Sequence, residues 1–121
     1  MPFDALPEVV VEDETLKILN SVYDILKDPS RWCQFDFAKD IKGNSISFLK
    51  GEAYSFCLMG AFYSSHRGTT SDSLSTFTFI KSLGFQSQNH VEAFNDNSSH
   101  RAVVQRLRTA IEKRRQELAL V

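Results

Sequence analysis

A chain of 121 residues, 42% hydrophobic and 24% charged, has the make-up of one soluble globular domain whose core needs no disulfide or metal to hold it. A formal net charge of −1 excludes the domain-wide positive balance of a nucleic-acid binder. No apolar run reaches the roughly 20 residues that span a bilayer. Charge is unevenly placed, however: residues 1–30 hold seven acids and two bases, and 101–117 hold six bases and two acids. That asymmetry predicts attraction between the first and last helices or two solvated faces, with a basic strip for an acidic partner as the sharper alternative.

In chain order, Pro2 and Pro7 oppose helix, so residues 1–12 read as an extended arm in which Val9, Val10 and Val11 can pair as an edge strand. Asp13 is a natural N-cap, and Leu16, Leu19, Tyr23 and Leu26 recur at helical spacing, which predicts a helix over 13–27. Asp28-Pro29 ends it and opens a short turn to Gln34, with Trp32 and Cys33 pointing inward. Residues 35–38 read as a helical turn or irregular, 42–44 as a turn and 45–49 as a short strand or loop. Residues 52–65 are expected as a central, most buried helix, with Ala53, Cys57, Gly60, Ala61 and Ser64 on a smooth face. Residues 66–73 read as a flexible link, and 74–83 as a helix with some strand-like content before Gly84. Val91 and Phe94 predict one short turn within 86–97. The last helix is expected over 99–118, with a stripe of Val103, Val104, Leu107, Ala110, Ile111 and Leu118. Arg101, Arg108 and Arg115 repeat along its flank as the candidate basic strip.

The expected fold is all-α: an arm over 1–12 and a single domain over 13–121, with four main helices, short connections and room for one minor strand pair at 9–11 and 45–49. The N-terminus carries no secretory pattern, and the two cysteines belong to no CxxC pair. They are expected as buried free thiols of a cytoplasmic protein, with a Cys33–Cys57 disulfide as the alternative.

Three residue groups stand in order along the chain: Arg31-Trp32-Cys33-Gln34, Phe56-Cys57-Leu58-Met59-Gly60-Ala61 and Phe94-Asn95-Asp96 ahead of the last helix. Together they resemble a family of small bacterial and phage proteins, a domain of unknown function, whose pattern reads W-C-Q, then W/F-C-L-x-G-A, then W/F-N-D and an amphipathic helix. The resemblance covers residues 13–115. This chain carries Phe at 56 and 94, where Trp is commoner. The resemblance implies a helical domain of bacterial or phage origin, for which interference with a host enzyme or defence system in the host cytoplasm is a natural role. It marks Trp32, Cys33, Gln34, Cys57, Gly60, Phe94, Asn95 and Asp96 as pattern positions.

From the residues themselves, Trp32, Gln34, Phe94, Asn95 and Asp96 combine aromatic surface with amide and carboxylate groups, which suits a planar polar ligand; helix entry and packing explain the same residues more simply. Cys33 or Cys57 with His90 and Asp96 would make a cysteine hydrolase, but that chemistry needs a thiolate, and both cysteines lie in apolar surroundings. His66, His90 and His100 follow no metal-ligand spacing, and no glycine-rich phosphate loop is present, so neither a metal nor a cofactor is expected. The expected function is therefore non-catalytic binding through a protein-interaction surface or a small pocket. The partner would be a host or other protein, a small polar ligand, or a second copy in a homodimer. Nucleotide or phosphate binding and the hydrolase are the alternatives.

Overall fold

The computed structural model describes residues 13–66 and 73–120. The arm expected over 1–12 and most of the link expected over 66–73 lie outside the described residues. The described chain runs α1 (Glu14–Leu26), a 3-10 turn (Pro29–Arg31), β1 (Ala38–Lys39), β2 (Ser55–Phe56), α2 (Leu58–Ser65), α3 (Leu74–Ser82), α4 (Gln88–Asp96) and α5 (His100–Ala119). It is a mostly helical domain with one minor antiparallel ribbon. That ribbon pairs Ala38 with Phe56 and Lys39 with Ser55. Of the pair expected at 9–11 and 45–49, residues 9–11 lie outside the described residues, and Ser45 forms a bridge to Lys39 of this ribbon.

Helix α1 is the scaffold. Asp13 accepts the Leu16 N–H at 2.9 Å, which supplies a partner for one of the orphan donors of the first turn. Ile18, Leu19, Val22 and Leu26 are fully buried and face α5, α2 and α3. Helix α5 runs antiparallel to α1: Arg114 grips Asp13 at one end, and His100 Nε2 meets the Leu26 carbonyl at 2.6 Å at the other. The acidic start and basic end of the sequence thus meet in an ion pair. Val103, Val104, Leu107, Ala110 and Ile111 form the buried stripe of α5. Leu118, expected in that stripe, is 37% exposed. Arg114 already lies level with the start of α1, so one turn later no part of α1 remains to cover it.

The expected central helix over 52–65 begins only at Leu58. Ser55 and Phe56 belong to β2, and Cys57 is an extended N-cap, so Ala53 and Cys57 share no helical face with Gly60 and Ala61. An all-apolar run carries no periodicity, and a buried strand satisfies it as well as a helix does. Every residue from Leu58 to Tyr63 is buried, and Phe62 stacks on Phe79 of α3 at 4.7 Å. In place of the single turn expected within 86–97 stands a full helix, α4, capped by Ser87. Ser99 caps α5 by accepting the Ala102 N–H, so Asn95 and Asp96, expected at that helix entry, end α4 instead.

Candidate functional site

Asn95 lies in the last turn of α4, fully buried, with its amide turned into the domain. Oδ1 accepts from Trp32 Nε1 at 2.8 Å and from the Leu58 N–H at 3.1 Å. Nδ2 donates to the Cys33 carbonyl and to Asp96 Oδ1, both at 3.1 Å. Two acceptor and two donor positions is the full capacity of a carboxamide, so this group is saturated by the protein itself. One bond also has a local purpose. The Leu58 N–H is the first orphan donor of α2, and Asn95 satisfies it from another helix. Cys57 satisfies a second, its Sγ accepting the Gly60 N–H at 3.3 Å.

Gln34 ties the same corner from outside. Its Nε2 donates towards the carbonyls of Asn95, Asp96 and Ser98 at 3.0–3.2 Å, which are orphan acceptors at and beyond the end of α4. Asp96 Oδ1 accepts the Phe35 N–H at 2.9 Å. Gly60 supplies the close approach: a Cβ there would sit 1.8 Å from the Phe37 carbonyl oxygen, which itself accepts the Cys57 N–H at 3.2 Å. The three sequence motifs therefore meet as one junction. Trp32, Gln34, Asn95 and Asp96 are brought together there. Phe94 turns to a different cluster, with its ring 5.4 Å from Phe85 and the Arg106 guanidinium over both.

Beside this junction opens a cleft of about 180 Å³ lined by Phe35, Asp36, Phe37, Cys57, Glu92 and Asp96. Phe35 is 74% exposed and holds φ at +72°, the left-handed region that a bulky side chain rarely enters. Its N–H bond to Asp96 fixes that conformation. Asp36 accepts from Ser45 at 3.0 Å and lies 3.9 Å from Lys39. Glu92 accepts from Gln88 at 2.7 Å. Three carboxylates and one ammonium leave the cleft net negative between two exposed rings. Sequence reasoning missed Phe35, Asp36, Phe37 and Glu92. Phe35-Asp36-Phe37, an aromatic–acid–aromatic triplet directly after the Trp-Cys-Gln motif, was the available signal.

Both thiols are free and buried. The thiol of Cys57 is pushed up to about 12 by burial, which outweighs the Gly60 N–H bond. Burial also raises Cys33, whose Sγ–H donates to the Asp36 carbonyl. His90 stands exposed on the first turn of α4, and no hydrogen bond joins it to either sulfur among the described residues. In the basic strip, Arg101 and Arg115 are exposed, and Arg108 donates to the Tyr23 hydroxyl at 3.1 and 3.2 Å. Among the described residues no three His, Cys, Asp or Glu side chains gather as a metal site, and no helix is long and apolar enough to cross a membrane.

No curated protein and no solved structure matches the chain. A family model does, over residues 11–113, a span that contains α1 to α4, most of α5 and all three motifs of the junction. The chain therefore belongs to that family, a family of unknown function (DUF6197).

Proposed function

We propose that this is a non-catalytic binding protein of the cytoplasm that presents the Phe35–Phe37 corner to a partner protein and takes a cationic side chain of that partner, lysine or arginine, in the adjoining cleft. Phe35 carries this reading. A phenylalanine held at positive φ with most of its ring in solvent adds little to the core, and backbone strain of this kind clusters at ligand clamps. The carboxylates of Asp36, Glu92 and Asp96 complement a cation, and the faces of Phe35 and Phe37 attract one. Burial that keeps both thiols protonated removes the nucleophile a cysteine hydrolase requires. Two free thiols suit a reducing compartment.

Titration of the ¹⁵N-labelled protein with acetyl-arginine amide, followed by NMR, tests the reading. Amide shifts should move at Phe35, Asp36, Phe37, Glu92 and Asp96, and acetyl-glutamine amide should leave them still. Equal shifts with both compounds, or none with the arginine compound at millimolar concentration, would sink the assignment.

A further inference from the structure

A second surface carries chemistry that the junction does not use. Helices α3 and α5 face one another across a groove of about 430 Å³. From α3 it is lined at i, i+3, i+4 and i+7 by Leu74, Phe77, Thr78 and Lys81; from α5, at the same spacing, by Ala110, Lys113, Arg114 and Glu117. Leu74 is 81% and Phe77 55% exposed, while Thr76, Phe79 and Ile80 on the other side of α3 are buried in the core. A helix that is apolar on both sides has a second face to cover. The rim has a definite sign. Arg114 is engaged by Asp13 at 2.7 Å and Glu117 at 3.2 Å, but Lys81 and Lys113 are exposed and form no ion pair among the described residues.

We propose that this groove receives one amphipathic helix of a partner protein, its apolar side chains on Leu74, Phe77 and Ala110 and its carboxylates opposite Lys81 and Lys113. Two facing stripes at helical spacing form a trough for a third helix, and that mode of recognition reads apolar anchors at i, i+3, i+4 and i+7. Charge complementarity selects an acidic occupant over a basic one, because any helix seated there brings its flanks against the exposed ammonium groups of Lys81 and Lys113.

The test uses the full chain and two fluorescein-labelled synthetic helices of about four turns. Both carry leucines at i, i+3, i+4 and i+7; one is flanked by glutamates, the other by lysines. Fluorescence anisotropy should show the glutamate peptide bound at least about tenfold more tightly. Phe77→Ser, at an exposed position that leaves the circular dichroism unchanged, should weaken it by roughly tenfold. The double variant Lys81→Glu/Lys113→Glu should reverse the preference. Three results would overturn the proposal. One is equal or absent binding of both peptides, or binding untouched by Phe77→Ser. Another is a dimer in light scattering that Phe77→Ser dissolves, which gives the groove to a second copy. The third is tighter peptide binding by the full chain carrying Val9→Ser, Val10→Ser and Val11→Ser, which makes residues 1–12 the competitor.

Discussion

Asn95 and Phe77 stand at the two extremes of this molecule. Asn95 is a polar side chain with no exposed surface and all four of its hydrogen-bonding positions filled from within. Phe77 is an apolar ring more than half in solvent, on a helix whose other side is in the core. Sequence motifs gathered at the first place and none at the second. The contrast separates two reasons for a residue to be distinctive. At the junction, unusual residues solve a folding problem: how three chain segments share one set of backbone donors and acceptors. At the groove, ordinary residues are left with an unsolved one, apolar side chains still in solvent, and it is there that we propose a partner.

The largest test of this contrast is chemical. With its thiol near 12, Cys57 has a thiolate fraction on the order of 10⁻⁴ at pH 8, against roughly a fifth for an unperturbed thiol. Its labelling in the native protein should be about a thousandfold slower than after unfolding. Fast native labelling would mean that the junction opens, and the hydrolase reading would return. Asn95→Leu comes next. It orphans Trp32 Nε1, the Leu58 N–H and the Cys33 carbonyl, and should cost about 4 kcal/mol in urea unfolding. A loss below about 1 kcal/mol would show that water reaches these groups and that the cleft extends to them. Gly60→Ala places a methyl group against the Phe37 backbone and should cost about 3 kcal/mol by the same measurement.

A smaller effect tests the α1–α5 pair. The Arg114 guanidinium holds the Asp13 carboxyl below its usual value of 3.8. A group with a lowered folded-state pKa contributes its stability above the unfolded value and loses it as pH falls through the folded one. Asp13→Asn, which keeps an N-cap oxygen, should therefore lower Tm modestly at pH 7, and the gap to the parent should close as pH falls below 3.8. A gap that persists in acid would assign the loss to capping alone. The smallest effect has the opposite sign. Phe35→Gly relieves the positive φ and should raise stability by up to about 1 kcal/mol while abolishing the arginine-dependent shifts. A loss of stability instead would make Phe35 a packing residue like those of the junction.

Legibility from sequence followed periodicity. Helices α1 and α5 announce themselves because each has one buried stripe at 3.6 spacing and a side-chain cap, at Asp13 and at Ser99. The spacing of Leu74, Phe77 and Ile80 also marks α3, but Leu74 and Phe77 are exposed and the buried side is Thr76, Phe79 and Ile80. Residues 52–57 do not announce themselves, since apolar residues at every position satisfy strand and helix alike, and a cysteine is not an expected cap. Helix α4 reads as a mere turn in the sequence because its outward face is polar and only Val91 and Asn95 are buried. Ser87, three residues ahead of His90, was the start signal that could have extended it. Trp32, Gln34, Asn95 and Asp96 meet at one junction, but spacing cannot tell a ligand's hydrogen bonds from the protein's own. That distinction needed the coordinates of four atoms around one amide.

The junction also sets an order of events. Helix α2 has eight residues, fewer than a helix needs to persist alone in water. Its first amide is held by Asn95, 37 positions further along the chain, and Trp32 reaches the same oxygen across 63. The most buried helix of the domain therefore waits for the end of α4 to arrive, and its formation is bound to closure of two long loops. A nascent chain that has not yet delivered residue 95 holds Leu58–Tyr63, its most hydrophobic stretch, without the partner that fixes it.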